Sequence, residues 1–110
     1  YIDRAQIEQV LINLIKNAKE SCGQNTAPQI EVELEQVPGK VCSLTVRDNG
    51  EGILPEVIDK VFVPFFTTKP SGSGIGLSLC KQIMNLHGGT ITVSSEIGKG
   101  SCFTLMFPGR

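Results

Sequence analysis

Apolar residues recur at helical spacing near the start of the chain. Asp3 has the side chain of a helix N-cap, and Gln6 follows three residues later, as in a capping box. The apolar side chains that then follow at helical intervals are Ile7, Val10, Leu11, Leu14, Ile15 and Ala18. This spacing predicts an amphipathic helix that ends near Gly23.

Apolar and charged residues alternate strictly in the next segment. Within residues 29–36, Ile30, Val32 and Leu34 alternate with three glutamates, which predicts a half-buried strand. The turn sequence VPGK separates this segment from a second alternating stretch at 41–47. We expect the two strands to pair as an antiparallel hairpin.

The second half of the chain begins with a helix and a loop. Pro55 suits the first turn of a short helix that reaches about Val61. Residues 63–74 are rich in Pro, Gly, Ser and Thr, which predicts a loop. A helix over 75–86 and a hairpin of strands 90–95 and 101–107 complete the chain. Because strands and helices do not alternate one to one, the order favours an α+β sandwich with helices on one sheet face.

Composition narrows the class of protein. The chain has 110 residues, 40% of them hydrophobic, and a net charge of -1, which indicates one domain and gives no electrostatic case for a nucleic-acid partner. Its four cysteines are scattered without a zinc-binding spacing, so we expect reduced thiols and a cytoplasmic domain. We expect no signal peptide or membrane span within these residues, because the longest apolar runs are far below the length of about 20 residues that a span needs.

Two asparagines lie one turn apart on the polar side of the first predicted helix. At about 100° per residue, Asn13 and Asn17 fall on one face at the border of the apolar stripe, together with Lys16 and Glu20. A ligand or metal would supply the partners that such amides need. A solvated helix face explains the spacing equally well, so both interpretations stay open here.

Glycines cluster at three places where elements begin or end. The stretch SGSGIGL (71–77) opens the third predicted helix, where unpaired N–H groups suit a phosphate. DNGEG (48–52) and GKGS (98–101) carry further glycine pairs beside predicted strands. Taken singly, each stretch is also compatible with a hinge or a plain turn.

Taken together, these stretches resemble the ATP-binding catalytic domain of sensor histidine kinases. That superfamily also holds the ATPase domains of gyrase, the Hsp90 chaperone and the MutL repair protein. QVLINLIKNA (9–18) is similar to the N box, DNGEG to the G1 box, VFVPFFTTK (61–69) to the F box, GSGIGL (72–77) to the G2 box and GKGSCF (98–103) to the G3 end. The resemblance implies a Bergerat ATP-binding fold, a two-layer α/β sandwich whose mixed, mostly antiparallel sheet is covered on one face by about three helices.

The resemblance also assigns a role to each residue of the nucleobase site. Asp48, at the end of a predicted strand, would accept a hydrogen bond from the adenine amino group. Gly50 and Gly52 would let the chain turn sharply and let the base lie against backbone. Ile53 and Leu77 would cover the ring, and Ser101 would hydrogen-bond Asp48 or an ordered water beside it.

The remaining boxes would hold the metal and the phosphates. By resemblance, Asn17 would coordinate Mg²⁺ through its amide oxygen, while Asn13, Lys16 and Glu20 would reach phosphates, ribose or metal-bound water. The residues expected to wrap the triphosphate are Gly72, Ser73, Gly74, Ile75, Gly76 and Leu77. Thr67, Thr68 and Lys69 would lie in a short lid, which is similar to that of the nitrogen-regulation-type kinases.

Asn13 bears on the kind of reaction. In the hydrolytic relatives a glutamate four residues before the metal-binding asparagine activates water, and an amide cannot take that proton. With Asn13 and Asn17 as its catalytic residues, the chain is therefore expected to hold Mg²⁺-ATP for transfer rather than to hydrolyse it.

The resemblance also implies partner domains. His87 is the only histidine and lies at a predicted helix end, so we expect the phosphoacceptor histidine on a separate helical dimerisation domain, with a response regulator receiver domain downstream. The domain's first strand is expected to be truncated, and the fragment to be a monomer with little autophosphorylation of its own. The full-length kinase is expected to be a homodimer, and a membrane anchor on it stays open. A serine protein kinase of the anti-sigma type and a nucleotide-sensing module without transfer remain alternatives.

Overall fold

A single antiparallel sheet and three helices make up the described part of the chain. The computed structural model describes residues 3–23, 27–36, 42–64, 66 and 76–108. Its elements are α1 (Arg4–Ser21), β1 (Ile30–Gln36), β2 (Cys42–Asp48), α2 (Pro55–Ile58), α3 (Gly76–Leu86), β3 (Thr90–Glu96) and β4 (Gly100–Phe107). The predicted α+β class is confirmed.

The sheet joins the two predicted hairpins through their second strands. Its order is β1-β2-β4-β3, and all three pairings of the described strands are antiparallel. The register places Asp48 of β2 opposite Ser101 of β4, and Ser101 opposite Ser95 of β3. Because directly paired residues share a sheet face, these three side chains form a row across one end of the sheet.

The beginning of α1 is held from two directions. The Asp3 carboxylate oxygen Oδ1 accepts the Gln6 N–H at 3.2 Å, so the predicted N-cap is confirmed. The Asp3 N–H donates to Nε2 of His87 at 3.0 Å, and Nδ1 of His87 lies 2.8 Å from the Ile83 carbonyl oxygen. Since Nε2 accepts, Nδ1 carries the hydrogen and donates to Ile83. His87 therefore ends α3, as expected, and also ties that end to the start of α1.

The core lies between the helices and one face of the sheet. The fully buried side chains of this layer come from α1, α3, β2 and β4: Val10, Leu14, Val46, Cys80, Met84, Phe103 and Leu105. Phe62, which follows α2, packs its ring edge to face on Phe103 with 6.2 Å between ring centroids. One apolar layer thus holds both helices in place over the sheet.

The edge strand β1 departs from the prediction. Val32 and Leu34 lie on the sheet face that carries the helices, yet they are 51% and 62% exposed. Only Ile30 of this strand packs against the core. The prediction of a half-buried strand was therefore wrong for most of β1, because α1 packs mainly over the neighbouring strand β2.

The short second helix is shorter than predicted. It ends at Ile58 rather than near Val61, and the chain continues in turns. In these turns the Lys60 N–H donates to the Val57 carbonyl and the Val63 N–H to the Lys60 carbonyl, at 2.8 and 3.0 Å. Among the described residues, no helix combines the length and the apolarity that a membrane crossing requires.

Burial of Cys80 predicts a pH-dependent contribution to stability. Its Sγ lies 3.8 Å from the Val10 carbonyl, and burial raises the pKa of the thiol from 9.0 to about 11. The folded chain thus keeps its proton where the unfolded chain loses it, so the free energy of unfolding should fall as pH rises from 9.0 towards 11. Denaturant titrations of wild type and Cys80→Ala at pH 8 and pH 10 measure this. A decline of equal size in both proteins would show that the Cys80 thiol is not the source of the pH dependence.

Candidate functional site

The predicted site residues that the structure describes fall into two groups, one at an end of the sheet and one on α1 and α3. β2 ends there at Asp48, and β4 begins there at Gly100 and Ser101. The end of α1 reaches the turn after β2, where the Glu51 N–H donates to the Ser21 carbonyl at 3.2 Å, and α3 packs against α1. The positions Thr67, Thr68, Lys69, Gly72, Ser73, Gly74 and Ile75 lie outside the described residues.

Asp48 is a buried carboxylate, only 5% exposed. Its Oδ1 accepts the Gly50 N–H at 2.8 Å, which is the side-chain-to-backbone turn that its position at the end of a strand suggests. Among the described residues no group donates to its Oδ2. One oxygen of Asp48 therefore shapes the turn, and the other is available as a hydrogen-bond acceptor.

The glycines of this end of the sheet allow close approaches of backbone to backbone. Gly52 has a φ of 82°, and a Cβ there would lie 2.5 Å from the Glu96 carbonyl oxygen. A Cβ on Gly50 would collide with the Ser21 carbonyl, and one on Gly100 with the Asp48 carbonyl. Gly52 thus makes the sharp turn that was expected. All three glycines also pack on protein backbone, which their place in glycine-rich motifs does not reveal.

Asn49 fastens the turn to the neighbouring segment. Its Oδ1 accepts the Gln29 N–H at 2.8 Å, and its Nδ2 donates to the Ala27 carbonyl at 3.0 Å. The Cys22 thiol, just past the end of α1, also lies 3.6 Å from Oδ1. The sequence prediction missed Asn49. The available signal was an amide directly after a strand, where Asn commonly bonds to backbone.

Asn13 connects the two helices. Its Nδ2 donates to the Gly76 carbonyl at the first residue of α3, at 3.4 Å, and its Oδ1 accepts from Nε2 of Gln9 at 3.0 Å. The polar side of α1 therefore faces the beginning of α3. Asn17 lies one turn further along and is half-buried, whereas Lys16 and Glu20 are exposed.

Ile53 and Leu77, the predicted apolar covers, are less buried than the predicted site residue Ser101. Ile53 and Leu77 are half-buried and pack against the core cluster. Ser101 is 5% exposed, and its Oγ lies 3.1 Å from Oγ of Ser95. Ser95 also accepts the Ile53 N–H at 2.7 Å, so it joins two predicted site residues. The prediction missed Ser95, because no motif in the sequence marks it.

Several known proteins with similar sequences are sensor proteins or sensor kinases. Residues 2–110 match the family described as histidine kinase-, DNA gyrase B- and HSP90-like ATPases. The sensor histidine kinase ZraS of Escherichia coli (strain K12) is 41% identical over 106 residues, which cover 96% of this chain and 22% of that protein. The C4-dicarboxylate transport sensor protein DctB of Rhizobium meliloti (strain 1021) is 45% identical over 93 residues, which cover 84% of this chain and 15% of that protein.

Several solved structures with a similar fold are histidine kinases. The mycobacterial sensor histidine kinase MprB has a TM-score of 0.85 at 29% identity, with 98% of this chain and 73% of that chain covered. A nucleotide-free catalytic domain of the histidine kinase ThkA has a TM-score of 0.84 at 39% identity, with 97% and 68% covered. Full-length ShkA in complex with AMPPNP has a TM-score of 0.84 at 26% identity, with 96% and 22% covered.

The chain belongs to the family of histidine kinase-, DNA gyrase B- and HSP90-like ATPases. Within that family it is similar to sensor histidine kinases, and its fold is that of their catalytic domains. The resemblance inferred from the five boxes is confirmed. The chain spans 22% of the length of ZraS, and the assignment to the nitrogen-regulation-type branch stays a prediction.

Two glycines with nearly the same φ allow the cost of backbone strain to be measured apart from the cost of a steric overlap. Gly52 and Gly98 have φ of 82° and 81°, but a Cβ on Gly98 meets no atom within 4 Å. Gly98→Ala should therefore cost only the left-handed backbone penalty of about 1–2 kcal/mol. Gly52→Ala should cost clearly more, because its Cβ would overlap the Glu96 carbonyl. Chemical denaturation measures both free energies of unfolding, and equal losses would show that the close approach is unimportant.

Proposed function

We propose that this chain binds Mg²⁺-ATP and presents the γ-phosphate to a histidine on a separate helical domain, as the catalytic part of a two-component sensor kinase. One observation carries the nucleotide part of this proposal. Asp48 is buried at the end of β2, and no described group donates to its Oδ2. The family of the chain and the kinase names of its relatives support the transfer part.

Asp48 accounts for selection of the base. An ionised carboxylate only accepts hydrogen bonds, so it suits the amino group of adenine. Guanine has an oxo oxygen at the corresponding position, and that oxygen would leave two acceptors facing each other. Since burial makes an unsatisfied polar group costly, the site should reject guanine. Ile53 and Leu77, both half-buried, offer apolar surface for the ring.

The helix pair suits the phosphates and the metal. Asn17 carries an amide oxygen, which is a hard ligand of the kind that Mg²⁺ prefers. The described residues contain no group of three or more His, Cys, Asp and Glu side chains that could hold a metal. Asn17 would therefore be one protein ligand beside phosphate and water oxygens. The metal would neutralise phosphate charge, and the start of α3 would offer N–H groups to the same anion.

Asn13 argues against hydrolysis of ATP by this chain, and His87 is a poor candidate for the phosphate acceptor. The Asn13 amide is bonded to Gln9 and Gly76, and an amide cannot act as a general base towards water. His87 is the only histidine, and its two ring nitrogens are bonded to Asp3 and Ile83. These two bonding patterns support a separate acceptor for the phosphoryl group.

Replacing Asp48 tests nucleotide binding directly. Asp48→Ala should weaken ATP binding by about 10- to 100-fold, because a hydrogen bond to a charged group contributes about 1.5–3 kcal/mol. Asp59→Ala, at an exposed aspartate after α2, is the matched control and should bind like wild type. Calorimetric titration gives both dissociation constants. Wild-type affinity in Asp48→Ala would refute the assignment of the base site.

Transfer is tested with a supplied acceptor. Incubation with labelled ATP, Mg²⁺ and the helical domain of a sensor kinase should label a histidine of that domain and leave this chain almost unlabelled. Asn17→Ala should lose the Mg²⁺-dependent part of ATP binding and of labelling, whereas Asn85→Ala, on the exposed side of α3, should not. Label on serine would favour an anti-sigma-type kinase. Nucleotide binding without any transfer would favour a sensing module.

A further inference from the structure

The hydroxyl of Ser95 stands at the centre of three hydrogen bonds. It accepts the Ile53 N–H at 2.7 Å and donates to the Gly100 carbonyl at 2.9 Å. Its third contact, at 3.1 Å, is with the Ser101 hydroxyl, where either atom could in principle donate. Ser95 is half-buried, near the end of β3, and so bridges the loop after β2 and the first two residues of β4.

Counting hydrogens resolves the direction of the third bond. A serine hydroxyl has one hydrogen and two lone pairs. A carbonyl can only accept, so the Ser95 hydrogen points to Gly100, and one Ser95 lone pair faces the Ile53 N–H. The remaining lone pair can accept only if Ser101 donates. The Ser101 hydrogen is therefore engaged by Ser95, and the Ser101 oxygen is left as an acceptor.

This direction matters because of what lies beside Ser101. The strand register places Ser101 directly opposite Asp48, on the same sheet face and both nearly fully buried. The carboxylate has no hydrogen to give, and Ser101 has already given its own to Ser95. Two acceptors thus stand side by side at the base site, and they suit a group that brings two hydrogens, such as an amino group or a water molecule.

We propose that Ser95 is a positioning residue for base selection, which keeps the Ser101 hydroxyl turned away from Asp48 so that the pair recognises an amino-bearing purine and rejects an oxo-bearing one. This inference rests on the proposed nucleotide-binding function. Without the Ser95 hydroxyl, Ser101 can rotate and donate to Asp48. The carboxylate would then be satisfied within the protein, and the amino group would lose its advantage over an oxo group.

The preference for ATP over GTP is the quantity to measure. The preference is the dissociation constant for GTP divided by that for ATP. In Ser95→Ala this ratio should fall about tenfold from its wild-type value, which corresponds to the loss of one hydrogen bond to a charged group. Ser94→Ala is the matched control, because Ser94 is the preceding residue of β3, is exposed and points to the opposite sheet face. It should keep the wild-type ratio.

A double-substitution cycle separates positioning from general weakening. If Ser95 acts through Ser101, then Ser95→Ala should leave the ratio unchanged in a Ser101→Ala background. Equal loss of ATP and GTP affinity in Ser95→Ala, or the same tenfold effect in both backgrounds, would overturn the inference.

A second variant covers the case in which circular dichroism shows that Ser95→Ala does not fold. Ser95→Thr keeps the hydroxyl and must keep the wild-type ratio; a collapsed ratio in that variant would also overturn the inference. Wild-type protein that binds neither nucleotide would refute the proposed function itself, whereas wild-type binding with an unchanged ratio in Ser95→Ala refutes this inference alone.

Discussion

A carboxylate buried where a strand ends is the constraint on which the rest of this site depends. Asp48 keeps its place because one oxygen accepts the Gly50 amide within the same turn. That short turn forces the backbone against the end of α1 and against the β3–β4 turn, which only residues without a Cβ allow. Asn49 then ties the turn to the residues before β1. The glycines of this motif are thus required by the close packing of backbone around the buried Asp48.

The same helix serves the core and the site. One side of α1 buries Val10 and Leu14 against the sheet, while Asn13 on its polar side bonds to the first residue of α3. Because interiors are close-packed, a displacement of α1 would move both layers together. The amides that face the proposed phosphate site are in this way positioned by the hydrophobic core, not by a flexible surface segment.

Local signals were sufficient for much of the fold. The Asp3 cap, the helical spacing of α1 and the alternation within the first hairpin depend on neighbours in sequence, and the structure has these elements. The exposure of Val32 could not be predicted, because it depends on which strand lies at the sheet edge. Ser95 was missed for a related reason: its partner Ile53 is 42 residues away in sequence, and only the assembled sheet brings them together.

The edge strand β1 combines two opposing surface properties. On the helix side it exposes Val32 and Leu34, while its other face carries Glu31, Glu33 and Glu35, all exposed. Within the described part of the chain β1 has a strand partner on one side only; such an edge can recruit a strand from a second molecule, and charged side chains along it oppose this recruitment. The glutamate row should therefore act as a gatekeeper against aggregation, by electrostatic repulsion between copies that approach edge to edge.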